Sequence, residues 1–250
     1  MASFRQFTAL FASLLLAGPA VAAEPALTVE TIVAKARAAL ASDPAALAKV
    51  RSLRFEFSAL DDAGQTANTS TLTVVAPGYR LEKTEVPTTG AESAMGIGRL
   101  EGWVSRKSDR LAARSLRALP YGNFRKMQDM AADDLAFFSP PAPGRGQATY
   151  QGATDIDGRK THAVEYAYAS GFRITRHFAA DTFVLVASDQ LTPKGDLQRQ
   201  KVDGVIVADG IAFPAKETVF VSGKKSGTVA YGRVTVNPEL PAGLFDFPSF

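Results

Sequence analysis

The order of apolar and polar positions divides the chain into a helical opening and a long series of strands. After Thr28 the residues Val29, Ile32, Val33, Ala36 and Leu40 recur at helical spacing, which predicts one amphipathic helix capped by the threonine hydroxyl. Ser42-Asp43-Pro44 ends that helix and opens a short second one, with Asp43 as cap and proline at the first helical position. Beyond Val50 the period becomes two. Leu53, Phe55, Phe57 and Ala59 alternate with Arg54, Glu56 and Ser58 up to a turn at Asp61-Asp62-Ala63-Gly64. The returning strand carries Leu72 and Val74, ends at Pro77-Gly78, and is followed by a strand from Tyr79 to Val86.

Glu85 to Gly98 is rich in Gly, Thr, Ser and Pro and reads as a loop. Trp103 and Val104 open the next strand, and Ser105 to Leu116 continues it with Arg106, Lys107, Arg110 and Arg114, a basic run completed by Arg117. Helical spacing returns between Asn123 and Phe138 through Phe124, Met127, Met130, Ala131 and Leu135, with Asn123 as the expected cap and a proline cluster after it. The remainder is again strand-like, punctuated by Asp157-Gly158, Lys194-Gly195, Asp209-Gly210 and Gly223-Lys224 at hairpin spacing. The total is on the order of ten short antiparallel strands, too many for a flat sheet. The expected fold is α+β and mainly β: a strongly curved antiparallel sheet forming an unclosed barrel, with the helices as a lid over its concave face.

The start of the chain changes where this fold is expected to work. Arg5 precedes an apolar run from Phe7 to Ala17 and the small residues Gly18-Pro19-Ala20-Val21-Ala22-Ala23, the order of a secretory signal peptide. The run is shorter than the roughly 20 residues that span a bilayer. Residues 1–22 therefore read as a signal peptide and 23–250 as a single soluble exported domain, placed in the periplasm. The chain has no cysteine, which excludes a lipid-modified cysteine and a disulfide framework alike.

The sequence carries no recognisable catalytic pattern. Two histidines, His162 and His177, and no cysteine leave little for a transition metal, and neither histidine lies in a metal-ligand pattern. Both fall inside strands, as hydrogen-bonded structural histidines do. Adjacent residues on a helix point apart, so Asp133-Asp134 is not a carboxylate dyad. No cofactor, metal or enzymatic activity is expected. With 28 Lys+Arg against 25 Asp+Glu, the charge balance selects no acidic partner, and the basic run lacks the interleaved aromatics of a nucleic-acid site. A solvated strand face explains that run; contact with anionic lipid headgroups is its sharper reading.

Several segments together resemble the LolA-like superfamily, whose founding members are periplasmic carriers of outer-membrane lipoproteins. They are Phe55-Glu-Phe57-Ser-Ala-Leu-Asp-Asp-Ala-Gly64, Leu72-Thr-Val-Val-Ala-Pro77-Gly-Tyr-Arg80, Tyr150-Gln-Gly152, Asp155-Ile-Asp157-Gly158, Asp209-Gly-Ile-Ala-Phe213-Pro214 and the ending Val236 to Pro248. The resemblance implies an unclosed antiparallel barrel with a helical lid over an apolar cavity that receives acyl chains. It implies a carrier or binding protein for a lipid, an acylated protein or another hydrophobic ligand, handed between membrane donors and acceptors without chemistry on it. Phe55, Phe57, Leu72, Val74, Leu81, Trp103, Met127 and Met130 are the residues expected to line the cavity. In the lipoprotein carriers an arginine stands directly before the proline ending the second strand and helps hold the lid; here that position is Ala76. The same fold also serves envelope-stress regulators as a protein-interaction module, which is the alternative role.

Overall fold

A computed structural model describes residues 27–108 and 114–248. The expected signal peptide and Arg110 of the basic run lie outside the described residues. Three helices, α1 (Val29–Leu40), α2 (Pro44–Lys49) and α3 (Tyr121–Ala136), accompany thirteen strands. The strands before α3 are β1 (Ser52–Leu60), β2 (Thr66–Val75), β3 (Tyr79–Val86), β4 (Ala91–Ile97), β5 (Gly102–Lys107) and β6 (Arg114–Ala118). Those after it are β7 (Gly146–Ile156), β8 (Arg159–Tyr168), β9 (Arg173–Ala179), β10 (Leu185–Leu191), β11 (Leu197–Ala208), β12 (Ile211–Val221) and β13 (Lys224–Val236).

All thirteen strands form one antiparallel sheet in the order β6-β5-β4-β3-β2-β1-β13-β12-β11-β10-β9-β8-β7. Each half of the chain is a simple meander, and the halves meet where β1 pairs with β13. The sheet is not closed: β6 and β7 are its free edges, and α3 is the connection between them. Several hairpins turn at Asp157-Gly158, Asp209-Gly210 and Ser222-Gly223, where both central residues have positive φ, the geometry that follows the sheet's twist.

The opening helices form as their sequence dictates. Thr28 Oγ1 accepts from the Thr31 amide and Asp43 Oδ1 from the Ala45 amide. Ile32, Val33 and Ala36 are the buried stripe of α1. The segment Glu85–Gly98, expected as a loop, contains strand β4. Its Ser, Glu and Ala residues alternate between faces and pair with β3 from Arg80↔Ile97 to Val86↔Ala91. Backbone pairing on both sides holds it despite poor strand propensity. The basic run is not one continuous strand, since β5 ends at Lys107 and β6 begins at Arg114. Helix α3 starts three residues earlier than expected, with Pro120 rather than Asn123 at its N-cap and no side-chain cap.

The three helices cover one face of the sheet. Two core clusters sit under them: Leu47, Leu53, Val74, Ala131, Phe137, Ile211 and Phe213 in one, and Ile32, Ala36, Phe138, Val164, Tyr166, Ile174 and Phe178 in the other. A smaller cluster joins Ile97 to Phe124 and Met127.

Candidate functional site

Strand alternation defines what α3 covers. Leu53, Phe55 and Phe57 share one face of β1, and their partners Val74, Leu72 and Ser70 lie on the same face of β2. Leu53 and Val74 are wholly buried beneath the helices, whereas Phe55, Phe57 and Leu72 are only partly covered. Phe55 packs edge-on against Phe213 and Tyr231, and Phe57 lies against Tyr231. Met127 is buried on Ile97, and Met130 is half-buried against the second core cluster. Six of the eight expected cavity residues thus belong to the helix-covered face or to the helix itself.

Leu81 and Trp103 do not. The register pairs Leu81 with Thr73 and with Gly96, and Gly96 with Trp103, which places both on the opposite face from Val74. A shift of one position reverses the face, and the alternation in β3 alone does not reveal which face is which. Trp103 lies over Gly96, where an added Cβ would come within 2.6 Å of the ring. Its indole Nε1 donates to the Phe245 carbonyl at 3.4 Å, and the Phe245 ring packs on Tyr79. The C-terminal segment therefore covers this row of the open face.

The attachment of α3 is electrostatic as well as apolar. Arg176 on β9 donates to both oxygens of Asp133, with Tyr168 Oη donating to the same carboxylate at 2.7 Å. Arg80 on β3 reaches Asp134 at 2.5 Å, and Arg145, just before β7, pairs with Asp129. Asp129 is itself buried, and its second oxygen has no partner among the described residues. At the other end, Arg37 of α1 donates to the carbonyls of Ala136 and Phe137 at 2.9 Å and to Ser139 Oγ at 2.8 Å, placing a cation at the helix C-terminus. Phe137 and Phe138 both have positive φ, a conformation that tight surroundings must impose; their rings pack on Phe213 and Phe178 and Tyr166 Oη donates to the Phe138 carbonyl.

These groups have displaced ionisation. Burial raises the Asp134 carboxyl above the usual range, although Arg80 opposes it. Burial likewise raises Glu217, which accepts from Tyr231 Oη at 3.0 Å. Burial works against the Arg176 cation, but Asp133 outweighs it and holds the guanidinium more firmly protonated than usual. Burial pushes the Tyr166 phenol up to about 12.

The adjacent acids of α3 thus serve two different arginines on opposite halves of the sheet, which is why they are not a dyad. Sequence reasoning missed the arginines because Arg80 and Arg176 sit among exposed-looking strand residues. The one available signal was an arginine on the same parity as core positions: Arg80 shares a face with Val74, its partner.

Both histidines are hydrogen-bonded. His162 Nδ1 meets Tyr150 Oη at 3.0 Å and its ring stacks on Phe183. His177 lies between Thr154 Oγ1 at 3.1 Å and Asp189 at 3.0 Å, and Arg199 grips Asp189 with two bonds of 2.7 Å. Hydroxyl, imidazole and carboxylate stand in the order of a hydrolytic relay, but His177 is 4% exposed and the Thr154 hydroxyl is also bound to Thr161. The chain of bonds laces β7, β8, β9, β10 and β11 together. Among the described residues no cluster of acids and histidines is arranged to hold a metal.

No protein-family model matches the chain, and no curated protein does. Solved structures do. A DUF1329 family protein from Desulfovibrio piger superposes with a TM-score of 0.54 at 14% identity, over 88% of this chain and 97% of that one. A domain described as outer membrane lipoprotein-sorting, from Vibrio parahaemolyticus, gives 0.54 at 13% identity over 88% and 96%. A LolA superfamily protein from Nitrosomonas europaea gives 0.51 at 14% identity over 88% and 98%. The chain shares their fold, the open antiparallel sheet with helices on one face.

Proposed function

We propose that this is a carrier or binding protein of the bacterial cell envelope that shelters an acyl chain or another hydrophobic ligand beneath α3 and performs no chemistry on it. One observation carries the reading. The helix that bridges the two free edges of the sheet is apolar underneath, yet it is fastened by three arginine–carboxylate pairs contributed from separate places. Ion pairs add less to stability than apolar packing of equal volume, and both charges regain hydration when such a pair parts into water, so this fastening suits a cover that opens. The arginine missing at Ala76 has a counterpart in function at Arg80, one strand further on. Two of the structures that share the fold are described as lipoprotein-sorting and as LolA superfamily, which supports the ligand class.

In this reading the ligand enters between α3, which carries Met127 and Met130, and the sheet face of Phe55, Phe57, Leu72 and Val74, methionine being suited to repacking. Apolar burial at about 25 cal/mol per Å2 supplies the affinity. Residues 1–22 direct export and are removed, 23–250 form the one working domain, and the periplasm is its place. Among the described residues no helix is long and apolar enough to cross a membrane. The test is uptake of a fluorescent fatty-acyl probe by the wild type and by Met127→Glu, with native mass spectrometry of the protein taken from its own periplasm. A co-purifying lipid and a large loss of uptake in the variant are expected. Equal uptake by both proteins, or a wild type that captures no lipid, overturns the proposal.

A further inference from the structure

A cleft of about 850 Å3 lies away from the helices. Its lining runs as Glu56-Phe57-Ser58, Thr69-Ser70-Thr71 and Lys83-Thr84-Glu85 along three neighbouring strands, so each run both begins and ends on the parity opposite to the core. The groove therefore opens mainly on the uncovered face, beside the row that the C-terminal segment covers, with Pro248 at its border and Phe57 and Tyr231 of the helix-covered face reaching its β1–β13 wall.

Two registered rows form its floor. Ser58, Thr69 and Glu85 stand opposite one another across β1, β2 and β3, and Glu56, Thr71 and Lys83 form the next row. Strand spacing sets neighbours in a row about 4.8 Å apart. None of these six side chains forms a hydrogen bond or ion pair with another side chain among the described residues, whereas Glu92 at the far wall is already paired with Lys107 and Arg114. Ser105, two strands beyond Lys83 in the second row, is 2% exposed and its hydroxyl has no hydrogen-bond partner among the described residues. A buried hydroxyl left unmatched is costly and marks a place where a ligand atom belongs.

We propose that this groove is a second ligand site, opening mainly on the face away from α3, for a neutral, hydroxyl-rich ligand of the oligosaccharide type. The floor offers hydroxyls that both donate and accept, carboxylates that accept and an ammonium that donates, intermixed at every step. Sugar hydroxyls match that alternation. An acyl chain would strand these polar groups, and a polyanion would meet three glutamates against Lys83 and an already engaged Arg114. The volume is that of an ordinary small-ligand cleft.

The experiment is titration calorimetry of the full mature chain with maltohexaose, chitohexaose and mannohexaose, with a heparin hexasaccharide as the polyanion and amide chemical-shift mapping alongside. At least one neutral hexasaccharide binds, shifting Thr69, Thr71, Lys83 and Ser105. Thr71→Val and Lys83→Met each weaken it by about tenfold, one or two hydrogen bonds' worth, with unchanged melting temperature and acyl-probe uptake. Binding of none of the three neutral sugars, binding of heparin alone, or full affinity retained in both variants overturns the proposal. Failure of acyl uptake would refute the carrier reading and leave this one standing.

Discussion

Arg176 faces Asp133 with both ends of its guanidinium fork, and the two side chains are 9% and 4% exposed. The pair is the deepest of the fastenings of α3. Buried pairs of this kind are sensitive to losing one member, because the survivor is left charged and unmatched. Arg176→Met is expected to cost about 3–5 kcal/mol. The double variant Arg176→Met, Asp133→Leu should recover most of that loss. Urea unfolding of the three proteins, compared at constant m-value, checks both statements.

Arg80 and Asp134 form a shallower fastening, since Asp134 remains one-third exposed. Asp134→Asn should lower stability by no more than about 1 kcal/mol. It should nevertheless raise the rate of acyl-probe uptake several-fold, because one of the three ties of the cover is gone. A stopped-flow measurement at matched temperature separates this from a folding defect. An unchanged rate would mean that this tie does not limit opening.

Phe57 borders the same space from the sheet side and is only partly buried. Its removal in Phe57→Ala is expected to cost less than the about 3 kcal/mol at which losses of a fully packed phenylalanine begin. Probe affinity or chain-length preference should change in the same variant. Denaturation and competition binding with acyl chains of different lengths read the two quantities. A large stability loss with unaltered binding would make this face an ordinary core.

Asp189 ties the second half of the sheet and gives it a definite acid response. Burial alone would raise its carboxyl, but the hydrogen bonds from Arg199 and His177 prevail and hold it at about 2, against 3.8 for a free aspartate. A depressed carboxylate contributes its stability above the unfolded value and loses it as the folded group takes up its proton. About 2 kcal/mol should therefore be present above pH 4 and disappear as the pH falls towards 2. Asp189→Asn should be less stable at neutral pH and show a flatter acid limb in urea titrations between those values.

Gly96 lies under the single tryptophan of the chain, with no room for a methyl group. Gly96→Ala should cost about 1–3 kcal/mol by overpacking. Trp103 emission should shift to the red as the ring lifts towards water, while acyl-probe uptake, which belongs to the other face, stays as in the wild type.

Much of the fold was legible because local rules and tertiary structure agreed. Thr28 and Asp43 cap their helices as their side chains predict, and the alternation in β1 named the correct face for Phe55 and Phe57. What was hidden depended on partners far away in sequence. β4 has a composition that reads as loop and is a strand only because β3 and β5 hold it on both sides. Tyr79 and Trp103 on the other face meet Phe245, which comes from a distant part of the sequence. The fastening of α3 joins residues such as Asp134 and Arg80 across more than fifty positions, and no periodicity records a pairing between a helix and a strand that distant. The groove is invisible for a related reason: a row of Ser, Thr, Glu and Lys looks like any solvated strand face until the register sets those rows side by side.

The junction of β1 with β13 has a consequence for how the molecule is made. The central ladder of the sheet joins the first strand to the last of the described strands, with Asn237 clamping the Arg51 and Ser52 amides from beyond it. As the chain is synthesised, the first meander emerges with one flank of β1, rich in Phe55 and Phe57, unpaired until almost the whole of the described chain has followed. An apolar strand edge held open for that time is a template for pairing with other chains. Closing it requires a contact spanning nearly the full sequence, the slowest kind to form. The centre of the finished sheet is thus the last part to be completed, and β1 is where misassembly of the newly made chain should begin.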